Sequence, residues 1–341
     1  MRAAVLQPGR LTAPGRWSTT LTLPFDAVRS AGLRALGPRA AFLWRDRERR
    51  VALLGAAQLT LAAAATLLAP VWLLTWSPLV LGVPHLLADV RYLVLQPGLH
   101  RARRVRWVGG SLLAVAAVLP GVPAAAALAL ALAWCTRAAL SWKLAVTAAC
   151  GAAAALAFRY ELASQLALVH GHNLVALWLW WRLRPRGLRS AVVPLTALLG
   201  LAVVVALAPL VPAWGLASVG STSLDALATQ YAPDLAPALA QRVLLAFCFL
   251  QAVHYAAWLR LIPEDARERA APRPFRASLA ALLADVPAPA LAAVLLIGVG
   301  LAGWGLLDTA GARLGYLTLA GFHGALELGV LTYFALQERA C

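Results

Sequence analysis

The chain alternates between long runs of apolar residues and short segments rich in arginine. Leu, Ala and Val fill these runs, which are close to the roughly 20 residues that a helix needs to cross a hydrocarbon core. They lack the alternation of polar and apolar positions that is typical of barrel strands. Because a bilayer leaves only helices or closed barrels as spanning structures, the pattern predicts an all-α, polytopic transmembrane helix bundle.

We predict about ten spans in this bundle. The third and fourth are short and are joined by the sequence PGVP at 120–123, which indicates either a tight hairpin or one broken helix. The predicted ranges are 51–76, 78–97, 107–119, 122–136, 139–158, 162–182, 190–212, 240–262, 286–307 and 313–336.

Arginine is concentrated in every second connection between these spans. The basic segments precede the first span and follow the second, fourth, sixth and eighth, at 45–50, 101–106, 137–143, 182–189 and 267–276. The other connections contain little Lys or Arg, and the longest holds Asp225 and Asp234. Because positive charge favours the cytoplasmic side, this alternation predicts that both termini are cytoplasmic.

Composition excludes a soluble globular domain, since 62% of the 341 residues are hydrophobic, 13% are charged and the mean hydropathy is +0.75. The net charge of +16 lies in the basic connections, so we expect anionic lipid headgroups rather than nucleic acid as its partners.

We expect residues 1–50 to form a basic cytoplasmic or interfacial segment without a signal peptide. Within it, residues 25–44 either form an amphipathic surface helix or belong to a flexible tail. Residues 51–341 form a single transmembrane domain.

The histidines lie in the even-numbered spans. His85 is in the second, His172 in the sixth, His254 in the eighth and His323 in the tenth. These four spans run in the same direction, and each histidine lies roughly 12–21 Å from its outer end at 1.5 Å per residue. Because buried ionisable groups are costly in a bilayer and imidazole is a common metal ligand, we expect the four side chains to share one metal ion.

Two acids accompany these histidines. Asp89 follows His85 by four residues and Glu327 follows His323 by four, so each acid lies on the same helix face as its histidine. Such an acid either binds the metal or orients an imidazole that does. His170 and His172 point in different directions on one helix, and we favour His172 as the ligand because Asn173 and a longer apolar run follow it. His100 lies in a basic loop and is interpreted as an interfacial residue.

Three of these segments resemble motifs of the Brp/Blh-type membrane carotene dioxygenases. GVPHLLAD at 82–89 is similar to the family's G-x-P-H-G-x-x-D segment, FCFLQAVHY at 247–255 to a later aromatic-rich segment with two histidines, and GFHG at 321–324 with Glu327 to the last motif. His172 occupies the place of the family's H-F-G motif. Leu86 replaces a glycine, and Gln251 stands where the family has a further histidine.

The resemblance implies a non-heme iron enzyme of the bacterial cytoplasmic membrane. Such an enzyme cleaves β-carotene with O₂ to give retinal, and its Fe(II) is held by histidines. The implied partner is a lipid-soluble small molecule, which would enter sideways from the bilayer along residues such as Trp178 and Trp258. No nucleotide cofactor is implied, and the oligomeric state stays open.

Two other function classes compete with this interpretation. A b-type heme protein for electron transfer would pair histidines across facing helices, usually with two on one helix about fourteen residues apart, and no predicted span contains such a pair. A transporter or proton relay would use Asp89, Glu327 and the histidines, and is typically built from internal repeats with broken helices. The sequence HExxH of intramembrane metalloproteases does not occur.

Overall fold

The structure, a computed structural model, describes residues 16–183, 191–220, 222–267 and 271–338. Within these ranges the chain is helical, and its β pairing is limited to one bridge between Val219 and Thr222. The all-α class predicted from the sequence is therefore confirmed.

The helices are numbered in chain order. They are α1 (Arg16–Ala35), α2 (Arg47–Leu68), α3 (Pro70–Leu95), α4 (Arg103–Val118), α5 (Val122–Trp134), α6 (Leu140–Arg159), α7 (Glu161–Leu183), α8 (Val192–Leu210), α9 (Leu224–Tyr231), α10 (Pro237–Asp265), α11 (Phe275–Asp285), α12 (Ala288–Leu307) and α13 (Thr309–Gln337).

Seven of these helices are long and apolar enough to cross a membrane, namely α2, α3, α6, α8, α10, α12 and α13, so the chain is an integral membrane protein. α5 is apolar but shorter. α4 and α7 occupy the places of the third and sixth predicted spans. A helix therefore stands at each predicted span, while the count of ten crossings and the cytoplasmic termini stay predictions.

The boundary between the first two spans differs from the prediction. The first span ends at Leu68 instead of residue 76, because Ala69 leaves the helical conformation and Pro70 begins α3. Proline favours the first position of a helix, where its missing N–H leaves no bond unmade. PGVP at 120–123 forms a turn between α4 and α5, which pack against each other, so the hairpin is correct and the broken helix is wrong.

The amino-terminal segment contains α1, which ends at Ala35 instead of continuing to residue 44. The helix does not continue because Gly37, with φ 68°, leaves the helical conformation and Pro38 follows it. The Asp26 carboxylate accepts hydrogen bonds from the N–H groups of Phe275 (2.7 Å) and Arg276 (3.2 Å), which lie in the first turn of α11. α1 is therefore attached to a helix that the sequence did not predict. Residues 1–15 of the predicted basic segment lie outside the described residues.

Ion pairs join helix ends that the positions of the arginines predict to lie on the same side of the membrane. Arg50 at the start of α2 donates through Nε to Glu264 at the end of α10 (3.2 Å), and Arg267 binds the other oxygen of Glu264 (2.8 Å). Arg91 of α3 binds Asp285 of α11 (2.8 Å). All of these residues belong to connections or helix ends predicted to be cytoplasmic, so the structure places them together on one side of the bundle.

Candidate metal centre

The four predicted histidines come together in the interior of the bundle. The ring centroids of His85 and His254 are 5.2 Å apart, as are those of His85 and His323 and those of His172 and His254. The centroids of His172 and His323 are 4.9 Å apart. Four helices distant in the sequence, α3, α7, α10 and α13, therefore contribute one imidazole each to a single cluster.

Local backbone geometry presents these side chains. In α3 the stretch Pro78–Gly82 adopts the wider π-helix conformation, and His85 lies in the α-helical turn that follows. Pro84 has no N–H to offer to the preceding turn, which favours such a local rearrangement. In α13 the helix is interrupted at Gly321 and Phe322, so His323 begins a new helical segment. Both irregularities lie within three residues of a histidine.

In the imidazoles of His172 and His323, the unprotonated ring nitrogens face each other. Nδ1 of His172 lies 3.2 Å from the Leu168 carbonyl, and Nδ1 of His323 contacts the Ala320 carbonyl. Since a carbonyl oxygen only accepts, each Nδ1 carries the proton, and each Nε2 of the neutral ring is left with a lone pair. These two Nε2 atoms are 3.2 Å apart. A cation between them would relieve their repulsion.

The distance between these nitrogens fits a shared metal ion. Two nitrogens bound at about 2.0–2.1 Å to one ion at right angles or at the tetrahedral angle are roughly 2.8–3.4 Å apart. Ligand atoms of His85, His254 and His323 also lie within 4.8 Å of one another. Both ring nitrogens of His85 and of His254 are buried and have no hydrogen-bond partner among the described residues, as expected of groups that await a ligand.

The two acids lie beside the histidines, as their spacing predicts. His85 Nε2 is 4.0 Å from Asp89 Oδ2, and His254 Nε2 is 3.7 Å from Glu327 Oε1. Both carboxylates are fully buried, and within the described chain neither forms an ion pair with Lys or Arg. Asp89, His254 and Glu327 form a second group whose ligand atoms lie within 4.8 Å of one another. The spacing i, i+4 holds for Asp89, whereas Glu327 reaches a histidine of another helix.

Trp258 holds Glu327 in place and does not line a path for the substrate. Its indole N–H donates to Glu327 Oε1 (2.8 Å), and its side chain is fully buried. The prediction that Trp258 lines an entrance from the lipid is therefore wrong. Trp178, by contrast, is half exposed on the surface of α7.

The two histidines of α7 lie in different parts of the interior. His172 lies in the cluster, whereas His170 points to another part of the interior and is 3.4 Å from the hydroxyl of Tyr231. His100 lies outside the cluster, near the Val94 carbonyl (3.4 Å). Both of these histidines are natural controls for the centre.

A cavity of about 220 Å³ adjoins the four histidines. One wall consists of small residues, Gly121, Ala320, Gly321, Gly324 and Ala325, which leave space next to the imidazoles. The amide side chains of Gln251 and Asn173 also line it. Such a cavity accommodates an apolar molecule with few polar anchors.

Two tyrosines of this cavity were not predicted. The Tyr255 ring lies 4.7 Å from that of His85, and its hydroxyl accepts from Gln251 Nε2 (3.1 Å). Tyr316 packs against Gly82, where an added Cβ would meet its ring at 2.2 Å. Its position seven residues before His323, two turns away on one helix face, is the signal that could have identified it.

In comparisons with known proteins, no protein family, no curated protein and no solved structure gives a significant match to this chain. The resemblance to the carotene dioxygenases thus rests on the short motifs around His85, His254 and His323.

Proposed function

We propose that the chain is a membrane-embedded, metal-dependent oxidoreductase of the dioxygenase type that acts on a lipid-soluble substrate such as a carotenoid. The observation that carries this proposal is the pair of Nε2 lone pairs 3.2 Å apart, on His172 and His323, with His85 and His254 beside them. This donor set fits Fe(II), whose protein ligands are commonly imidazole nitrogens and carboxylates.

Charge supports a divalent cation at this place. Asp89 and Glu327 would bring two negative charges into a neutral, apolar interior, and unpaired buried charges are costly there. One dication would balance both carboxylates. Whether the two acids bind the ion or only orient His85 and His254, their charge favours its retention.

Each part of the centre has a distinct task in the proposed reaction. Iron held by imidazoles with open positions supplies the activation of O₂. Trp258 fixes Glu327 by its N–H bond, and Glu327 in turn faces His254. The cavity beside the histidines holds the substrate, and its small-residue wall leaves space for a flat hydrocarbon chain. Tyr255 and Gln251 are the polar side chains available to orient it.

The geometry argues against the heme alternative. Two axial imidazoles on opposite sides of a heme iron would place their bound nitrogens roughly 4 Å apart, at about 2 Å from the iron on each side. The Nε2 atoms of His172 and His323 are closer than this, and two further imidazoles lie beside them, with the His85 ring centroid 5.2 Å from that of His323 and the His254 ring centroid 5.2 Å from that of His172. The transporter alternative predicts substrate movement without turnover, which the following experiment distinguishes.

Expression in a β-carotene-producing bacterial host tests the proposal. The wild type and the His170→Ala variant should bleach the cells and yield retinal, measured by liquid chromatography, whereas His172→Ala should do neither. The two histidines are two positions apart on one helix, so the pair controls for expression and insertion. Unchanged β-carotene with metal still bound would remove carotene as the substrate, and unchanged carotene without metal would refute the function.

A further inference from the structure

A cationic side chain lies within the outer half of α13, and no carboxylate among the described residues forms an ion pair with it. Arg313 is half-buried, its Nε atom is fully buried, and the described residues offer that atom no hydrogen-bond acceptor. Asp308, at the start of α13, accepts from the Gly311 N–H (2.9 Å), and Asp225 of α9 accepts from Gln241 Nε2 (2.6 Å). A cation withdrawn from water without a counter-charge is costly, so its position indicates a ligand.

Arg313 is connected to the histidine cluster by a row of cavities. It lines two adjacent cavities of about 290 and 230 Å³, which share Leu227 and Gln230 with each other. The second of them shares Gln165, Val169 and Leu317 with the cavity at the histidines. A path that is apolar for most of its length thus ends in a positive charge.

The register of α13 sets the length of this path. Arg313, Leu317 and Ala320 follow one another at intervals of four and three residues and so share a helix face. Arg313 precedes His323 by ten residues, roughly 15 Å along a helix. A molecule whose end is bound at Arg313 would extend along this helix face. The bond that lies roughly 15 Å from the bound end would then be next to the histidines.

We propose that Arg313 binds the carboxylate end of an elongated apolar substrate whose chain runs along the Leu317 face to the histidine cluster. Arginine suits this task because its planar guanidinium pairs with a carboxylate through two parallel hydrogen bonds. The inference rests on the proposed function and extends its substrate class to polyene and isoprenoid acids, which Arg313 would bind more tightly than an unsubstituted hydrocarbon such as β-carotene.

Ligand binding tests the inference without turnover. Purified protein in neutral detergent is titrated with the fluorescent polyene cis-parinaric acid and, separately, with its methyl ester. The wild type should bind the acid about tenfold more tightly than the ester, the effect of one charge-assisted pair. Arg313→Gln should abolish this preference. Arg313→Lys, which keeps the charge without the bidentate geometry, should retain part of it and covers the possibility that the glutamine variant fails to fold.

Arg242→Gln is the matched control, because Arg242 lies exposed near the start of α10 and its substitution removes the same charge. It should leave the preference for the acid intact. Equal binding of acid and ester by the wild type, or an unchanged preference in Arg313→Gln, would overturn the inference. Displacement of the acid by phosphatidylglycerol at equal concentration would also overturn it, since Arg313 would then be a lipid headgroup site.

Metal content, measured on the same samples, separates this inference from the proposed function. Arg313→Gln should keep the metal content of the wild type, because Arg313 lies remote from the ligands. A wild type that binds no metal but still prefers the acid would refute the metalloenzyme and support the arginine site.

Discussion

Helices α6 and α10 have the same mean hydropathy, 1.4, over their most apolar windows, yet their environments differ completely. The rest of the protein buries 78% of the α10 window and none of the α6 window. α10 carries Gln251, His254 and Tyr255 in its buried part, whereas α6 contains no histidine and no acid. Since lipid is as apolar as leucine, hydropathy identifies a spanning helix but not its interior face. The polar residues identify that face.

The largest difference between the two helices should appear in stability. Phe249 of α10 is fully buried and lies so close to Gly200 of α8 that a Cβ added there would meet its ring at 2.6 Å. Phe249→Ala should lower the free energy of unfolding by about 3 kcal/mol or more, because it leaves a cavity between the two helices. Thermal unfolding in detergent measures the effect.

Leu156→Ala on α6 is the matched control. Leu156 is 55% exposed, so its truncation removes contacts with lipid and should change the stability by less than about 0.5 kcal/mol. Equal losses for the two variants would show that Leu156 packs against protein and would remove the contrast.

A smaller effect is expected at the acids that face the histidines. Asp89→Asn and Glu327→Gln keep the shape of the side chains but remove the charge beside His85 and His254. If the acids orient these imidazoles, each variant should bind metal about 10–100-fold more weakly. Competition with a chelator measures the affinity, and a loss as complete as that of a histidine variant would show that the acids bind the ion directly.

Lys143→Gln provides the corresponding change on α6. Lys143 lies near the start of that helix, with its ammonium group 5.7 Å from the Trp134 ring centroid. It has no route to the centre, so metal affinity should stay that of the wild type. An increase as large as the decrease in Asp89→Asn would mean that the acids act only through general charge, since loss of a lysine cation favours a metal ion as loss of a carboxylate disfavours it.

The sequence predicted the helices well because apolar length is a local property. It failed at residues 51–76, an apolar stretch in which only Pro70 marks the end of one helix and the start of the next. The helices α9 and α11 were missed because they are short and lie in connections that were judged by charge alone.

The histidines of the candidate site were predicted from the sequence, whereas the contacts that hold them in place were not. His85, His172, His254 and His323 were chosen by depth and direction, which are properties that a sequence reports. The bond from Trp258 to Glu327 and the packing of Tyr316 on Gly82 join different helices, and nothing in the local sequence specifies such pairs. Arg313 was passed over because it stands at the start of a predicted span, where an arginine ordinarily faces headgroups.

Elemental analysis of detergent-purified protein, combined with an optical spectrum, tests the central claim that four histidines hold one non-heme metal ion. The wild type and His170→Ala should contain about one iron per chain and show no Soret band, whereas His172→Ala should retain less than about a tenth of that metal. A wild type without a transition metal, a Soret band, or full metal content in His172→Ala would contradict the account.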